Sequence, residues 1–149
     1  AQWSGGVWSA VGAGVNGRVE ALTVDAQGFV YAGGRFTQDA AEQASLPYLA
    51  AWDGMDWFAP GGGMAGPVFA LALTPDDEVV AGGAFTDAGG QPGTAFLAVL
   101  TDGFWAPWSA ATALDNEVRA LATYPDGRLA VGGAFTAVSA LTSAQHVAV

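Results

Sequence analysis

The sequence predicts an all-β fold made of three copies of one four-stranded unit. Two observations lead to this prediction: a Gly-Gly-x-Phe-Thr motif recurs at near-constant intervals, and apolar residues alternate along short runs that turn residues separate. The motif lies at residues 33–37, 82–86 and 132–136, which are steps of 49 and 50 residues. Spacing kept that strictly indicates one structural unit used three times.

The first two strands of each unit follow from a Val-x-Ala-Leu segment at residues 19–22, 68–71 and 118–121. In the third unit we predict strand one at residues 118–124 and strand two at residues 128–132. The turn between them, Pro125-Asp126-Gly127, is typical of a β-hairpin, because Asp-Gly accepts the positive φ angles of a tight turn. The corresponding turns are residues 26–28 and 75–77, and the second of these lacks the glycine.

Strands three and four complete the unit. We predict strand three at residues 48–52, 96–100 and 146–149, followed by a tight turn and a strand four that begins at Trp57 or Trp105. Trp8 occupies the same position near the N-terminus, and Trp3, Trp52 and Leu100 lie five residues before these tryptophans. Four short strands in a repeat of about fifty residues are typical of a β-propeller blade.

The repeat resembles a known family. Residues 52–57 (Trp-Asp-Gly-Met-Asp-Trp) and 82–90 (Gly-Gly-Ala-Phe-Thr-Asp-Ala-Gly-Gly) are similar to kelch-like repeats of large bacterial secreted and surface proteins, of the delta-60 and Rax2 types. The resemblance covers the whole chain and implies a β-propeller of kelch-like blades. It implies no activity, because propellers host many functions. The third unit departs from the pattern, since Leu100 replaces the tryptophan and residues 137–140 replace a glycine-rich loop.

Three blades are too few for a closed ring, because propellers usually need four to eight. We place the units at about residues 8–56, 57–104 and 105–149 of one partial propeller that spans residues 1–149. The N-terminal strand, within residues 1–14, is then expected to complete a blade of a partner chain. This predicts a homodimer with six blades, or a homotrimer with nine. The alternative is a fragment of a longer propeller with no function of its own. The predicted seam between chains comprises Trp3, Trp8, His146, Val147 and Val149.

Two kinds of repeated residue are expected to serve packing. Glycine within a strand marks a bulge or a close approach of two backbones, which explains the Gly-Gly pairs. Repeated aromatic residues are more often core than binding site. We therefore predict that blade packing uses Trp8, Phe36, Trp52, Trp57, Phe85, Trp105 and Phe135.

Composition excludes several classes of function. Fourteen acidic residues against four arginines give a net charge of −10, which argues against nucleic acid and anionic membranes as partners. With no cysteine and one histidine, His146, the chain lacks the ligands for the copper chemistry of oxidases built on kelch-like propellers. We expect no metal, no cofactor and no Ser-His-Asp site. No apolar run reaches the length of a membrane span. Ala1-Gln2 suits a terminus left by signal cleavage, so we predict an extracellular or cell-surface protein.

We predict a non-enzymatic module for binding or structure, whose recognition surface is formed by the loops between strands two and three, at residues 38–46, 87–95 and 137–145. A glycan or protein ligand is expected there. The candidate binding residues are Asp39, Glu42, Gln43, Asp87, Gln91 and Trp108.

One alternative is a lectin, because the Trp-Asp-Gly-x-x-Trp string is similar to one in small fucose-binding propeller lectins. Another is a carbohydrate-active enzyme that uses loop carboxylates, since glycoside hydrolysis needs two of them. Those carboxylates are Asp39, Glu42, Asp87, Asp115 and Glu117.

Overall fold

A computed structural model describes residues 1–109, 113–138 and 146–149. In these residues the fold is all-β, as predicted, with four small antiparallel sheets, one short 3-10 turn at Pro60–Gly62 and no α-helix. The sheets described do not form a closed propeller, and ring closure therefore stays a prediction. Most of the predicted third loop, residues 139–145, lies outside the described part of the chain, as do residues 110–112 of the unit placed at 105–149.

The strands follow the repeat. An N-terminal hairpin contains β1 (Gln2–Ser4) and β2 (Val7–Ser9). The first large sheet contains β3 (Val19–Val24), β4 (Val30–Gly34), β5 (Leu49–Trp52) and β6 (Trp57–Phe58). The second contains β7 (Val68–Leu73), β8 (Val79–Gly83), β9 (Leu97–Thr101) and β10 (Phe104–Pro107). The third contains β11 (Val118–Thr123), β12 (Leu129–Gly133) and β13 (Val147–Ala148). In each sheet, sequential strands are neighbours. The N-terminal strand four, predicted to begin at Trp8, begins one residue earlier and spans Val7–Ser9.

The second glycine of each Gly-Gly pair is required by a bulge. The pairing of strands one and two shifts register at the same place in all three large sheets, between Val19 and Ala21 in the first. A Cβ atom on Gly34 would lie 2.1 Å from the carbonyl oxygen of Arg18, and the equivalent atoms on Gly83 and Gly133 would meet Pro67 and Glu117 in the same way. No side chain fits at this position, so the repeat keeps glycine there.

The first glycine of each pair has a different role, because it receives the next sheet. A Cβ atom on Gly33 would lie 2.5 Å from Cγ1 of Val68, and one on Gly82 would lie 2.4 Å from Cγ1 of Val118. The second sheet therefore packs face to face on the first, and the third packs on the second, through the same valine-on-glycine contact. The two glycines together let a strand bulge and let a neighbouring sheet approach closely.

The repeated aromatic residues are mostly buried. Phe36, Phe85 and Phe135 are almost fully enclosed in three separate hydrophobic clusters. Trp105 is buried, and its Nε1 donates a hydrogen bond to the carbonyl oxygen of Pro60 at 3.0 Å. Trp8 differs from them, because it lies exposed on β2 with its ring against that of Trp3.

The strand-one to strand-two turns also keep one geometry. Gly28 and Gly127 have φ angles of 92° and 87°, and Asp77 takes the equivalent positive φ of 67° where the second unit lacks glycine. The Asp77 carboxylate accepts a hydrogen bond from the backbone N–H of Ala26 at 3.0 Å. The exception to the turn pattern thus links the turns of two adjacent sheets.

Candidate functional site

The loop after β4 is closed by one of its own predicted binding residues. The buried Asp39 carboxylate accepts hydrogen bonds from the backbone N–H groups of Gln43 at 2.6 Å and Ala44 at 2.9 Å. Glu42, at the tip, is exposed and has a positive φ of 58°. Because its oxygen atom is engaged with the backbone, Asp39 holds the loop in shape, and the exposed side chains of Glu42 and Gln43 are left facing outward.

Two tryptophans lie beside this loop. The rings of Trp52 and Trp57 are tilted by 50° with centroids 5.5 Å apart, and Nε1 of Trp57 donates to the carbonyl oxygen of Val11 at 3.1 Å. Gly12 allows this approach, because a Cβ atom there would lie 2.4 Å from Cζ3 of Trp52. The segment before β3 is thereby fixed against the pair of rings.

The loop and the tryptophans enclose a cleft of about 320 Å³, which we call the Trp52 cleft. Its polar lining includes Asp39, Gln43 and Asp56, and its apolar lining includes Trp52 and Trp57. Indole surface with amide and carboxylate groups nearby suits a small hydroxylated ligand, since the rings can cover C–H groups while the polar atoms bond hydroxyls. The sequence placed these residues in two separate groups, packing and binding, whereas the structure brings them together. The Trp-Asp-Gly-x-x-Trp string at residues 52–57 contains Trp52, Asp56 and Trp57, and it is the sequence pattern that indicates this part of the cleft lining.

The second loop is closed by different residues. The buried Thr94 hydroxyl accepts a hydrogen bond from the N–H of Ala88 at 2.8 Å and donates to the carbonyl oxygen of Gln91 at 2.6 Å. The Asp87 carboxylate accepts from the N–H of Gly90 at 3.0 Å, and the Gln91 side chain is exposed. Thr94 thus does in this loop what Asp39 does in the first, and the sequence pattern did not single it out.

Trp108, the tryptophan outside the repeat pattern, is half-buried against the cluster between the second and third sheets. It lines another cleft, of about 290 Å³, together with Asp76 and Asp126 from two hairpin turns. The predicted binding residues therefore divide between sites: Asp39 and Gln43 line the Trp52 cleft, and Trp108 lines a different one.

The predicted seam residues are exposed in the chain: Trp3, Trp8, His146, Val147 and Val149. Trp3 and Trp8 reproduce the geometry of Trp52 and Trp57, with ring centroids 5.4 Å apart and planes tilted by 56°. His146 has a positive φ of 65°, and its backbone N–H donates to the carbonyl oxygen of Phe135 at 3.0 Å.

Several carboxylates outside the Trp52 cleft are engaged with the backbone or with arginine. Backbone N–H groups of Asp56 and Met55 lower the pKa of Asp53, and the hydroxyl and N–H of Thr136, with the N–H of Ala137, lower the pKa of Asp115. Glu117 pairs with Arg119. The contacts of Asp53 and Asp115 stabilise the ionised forms of these two carboxylates, which is typical of carboxylates that shape turns.

A group of five carboxylates lies between the turns of the first and second large sheets. Asp25, Asp76, Asp77, Glu78 and Asp102 line a cleft of about 410 Å³ there. Burial, and then the hydrogen bond from the Tyr31 hydroxyl to Asp25, raise the pKa of Tyr31 to about 12. In the described ranges no group of three or more His, Cys, Asp or Glu side chains is arranged to hold a metal ion.

No helix in the described part of the chain is long and apolar enough to cross a membrane. In comparisons with known proteins, no protein-family model matches this sequence, and no curated protein matches it.

Proposed function

We propose that this chain is a non-enzymatic β-propeller module that completes its ring with copies of itself and presents a rigid surface for binding. The observation that carries the proposal is the repeated stacking contact: Val68 packs on Gly33, and Val118 packs on Gly82. A stack of twisted four-stranded sheets in which each step repeats the last is the arrangement from which a ring of blades is built. Two chains would give six blades, and three would give nine.

The N-terminal hairpin supports association between chains. It forms a sheet of its own, and its apolar side chains Trp3, Val7 and Trp8 are exposed. Exposed apolar groups of this size mark an interaction surface. We propose that β2 serves as the fourth strand of the third sheet of a second copy, as β6 serves the first sheet, and that β1 continues the line of β13.

The placement of the loop carboxylates favours binding over hydrolysis. Asp39, Asp87 and Asp115 accept hydrogen bonds from backbone N–H groups of their own or adjoining loops, and Glu117 is paired with Arg119. A general acid in a glycosidase needs a raised pKa and access to the glycosidic oxygen. The contacts of Asp115 act in the opposite direction, because they lower its pKa.

A carbohydrate ligand is the second candidate, and the Trp52 cleft is the observation that favours it. Indole rings beside Gln43 and Asp56 offer both the apolar face and the polar atoms that a sugar ring requires. The proposed extracellular or cell-surface location would expose this cleft to glycans.

Two measurements test these proposals. Light scattering at micromolar concentration should give a multiple of the 15.0 kDa chain mass, twice that value for the six-bladed ring. A folded particle with the mass of one chain contradicts the assembly.

Titration with a panel of monosaccharides, monitored by tryptophan fluorescence, should show saturable binding. Gln43→Ala should weaken this binding, and Gln91→Ala should leave it unchanged. A panel without binding contradicts the lectin candidate, and so does cleavage of a disaccharide incubated with the protein.

A further inference from the structure

The valine-on-glycine contact occurs twice inside the chain. Residues equivalent to its two sides also lie on the outer faces of the first and third large sheets. We propose that Val19 and Leu22 on β3 dock onto Gly132 and Val147 of a second copy of this chain. This inference rests on the proposed assembly and specifies the contact that closes it.

The two contacts inside the chain define what a filled contact is like. Val68 and Val118 are both completely buried, and each lies over the first glycine of the preceding sheet, Gly33 or Gly82. A leucine three residues later, Leu71 or Leu121, reaches the same glycine, with Cδ1 at 3.5 Å or 3.3 Å from the position of an added Cβ atom. Both contacts therefore share one set of residue positions and one geometry.

The equivalent residues of the first sheet are exposed. Val19 and Leu22 stand where the second sheet has Val68 and Leu71, yet 39% of Val19 and 63% of Leu22 remain accessible. Val24, on the same strand, is exposed as well. An apolar face with the same residue pattern as two buried faces is the inserting half of a third contact.

The receiving half lies on the third sheet. A Cβ atom on Gly132 would meet Cβ of Ala120 at 3.6 Å and the carbonyl oxygen of His146 at 3.8 Å, which are ordinary contacts within its own sheet. Among the described residues, nothing occupies over Gly132 the space that Val68 fills over Gly33 and Val118 fills over Gly82. Glycine is kept at residue 132 although nothing in the described part of the chain requires it there.

A groove on the first large sheet and an exposed side chain on the third also match each other. A mostly apolar groove of about 420 Å³ on the first sheet is lined by Val19, Leu22, Val30, Ala32 and Trp57, among other residues. On the third sheet, Val147 is 63% exposed, whereas its repeat equivalents Leu49 and Leu97 are 0% and 3% exposed. Leu49 packs with Val68, Val79, Ala81 and Trp105, the second-sheet equivalents of the groove residues. Val147 of another copy is thus the side chain expected in the groove.

A second copy is the occupant that these observations favour, because the chain carries both halves of the contact. The contact joins different surfaces of the two copies, so it is head-to-tail, and a two-chain ring contains it twice. The four matching residues, Val19, Leu22, Gly132 and Val147, carry no charge. Physiological salt screens the repulsion between two acidic chains over about 8 Å.

Cysteine cross-linking tests the contact directly, because the chain has no cysteine. At the internal contacts an added Cβ atom on Gly33 or Gly82 lies 3.0 Å from the valine Cβ, within about one ångström of the usual disulfide separation. Val19→Cys and Gly132→Cys should form a cross-linked pair when the two variants are mixed and oxidised, and neither should do so alone. The control mixture combines Gly132→Cys with Met55→Cys, at an exposed turn.

A yield no higher than that of the control mixture would overturn the proposed contact, as would cross-linking of either variant with itself. A wild-type chain that runs at the mass of one chain would contradict the assembly as well. A wild-type mass of two chains without the Val19–Gly132 cross-link would contradict only this contact.

A second variant tests the same face without a covalent bond. Leu22→Gln changes a side chain that is exposed in the single chain, so the fold should survive, and circular dichroism checks this. The dissociation constant of the assembly should rise at least about tenfold, because the variant buries an amide without a hydrogen-bond partner at the contact. Met55→Gln is the matched control. Equal association of both variants would overturn the proposal.

Discussion

The second large sheet and its two neighbours have the same repeat sequence but different surroundings. Both faces of the second sheet are covered, one by the first sheet and one by the third, and Val79, Val80 and Ala81 on β8 are buried in consequence. The first and third sheets are covered on one face, and Leu22 and Val147 are exposed on the other. Burial of a repeated residue is therefore decided by its neighbouring sheet and not by its own identity, and the outer faces carry residues suited to a contact that the single chain does not make.

The largest expected effect comes from adding a methyl group to the equivalent glycines Gly82 and Gly132. Gly82→Ala places a Cβ atom 2.4 Å from Val118 and should lower the free energy of unfolding by about 1–3 kcal/mol. Gly132→Ala meets only ordinary contacts and should change it by less than about 0.5 kcal/mol in dilute solution. Urea denaturation of both variants measures the difference. Equal destabilisation would show that the two positions are not open and filled halves of one contact.

Truncation of the equivalent valines should give a contrast no larger than that between the two glycine variants. Val68→Ala removes two methyl groups from a fully buried side chain and should cost about 2 kcal/mol. Val19→Ala, on the exposed face, should cost less than about 0.5 kcal/mol in dilute solution. Thermal unfolding at increasing protein concentration separates the two, because the Val19 effect should grow as chains associate. A Val19 effect that matches Val68 at every concentration would remove the distinction between inner and outer faces.

The smallest effect concerns one hydrogen-bonding position that differs among the three large sheets. Asp115 accepts hydrogen bonds from the Thr136 hydroxyl at 2.6 Å and the N–H of Thr136 at 2.8 Å, which lower its pKa. Its stabilising contribution is therefore present above the unfolded pKa of about 4 and is lost as pH falls through the folded pKa. Asp115→Asn should be slightly less stable than wild type at neutral pH, with the gap closing in acid.

Melting temperatures at pH 7, 4 and 2.5 measure this gap. Asn16, the equivalent residue of the first sheet, already accepts from the N–H of Thr37 at 2.9 Å without ionising. Asn16→Asp should accordingly introduce a new loss of stability in acid. Melting curves that stay parallel across this pH range would contradict the assigned role of Asp115.

Much of the fold follows from the sequence because its signals are local. Strand positions, hairpin turns and the bulge at the second glycine depend on residues within about fifteen positions of one another, such as Ala21 and Gly33. The regular spacing of the motif then transfers each local solution to the next unit. The all-β class and the order of strands in each sheet were predictable for this reason.

The candidate site was less predictable because its residues come from separate segments. Gln43 belongs to a loop, Trp52 to a strand and Gly12 to a connection outside the first large sheet, and only the folded chain brings them together. Asp39 and Thr94 perform the same loop-closing task with different chemistry, so comparing the units by residue type does not reveal it. Trp108 lies in a connection that does not follow the spacing of the other units, and repeat comparison assigns it no partner.

The valine-on-glycine stack makes the described part of the chain a linear array in which each sheet contacts only its immediate neighbours. In such arrays, stability is close to a sum over units and interfaces, and opening begins at the ends. In a single chain, amide hydrogens of β8 and β9 should then exchange with solvent more slowly than those of β3 and β13. Closing the array into a ring would remove its ends, and the gradient of exchange rates along the chain would flatten.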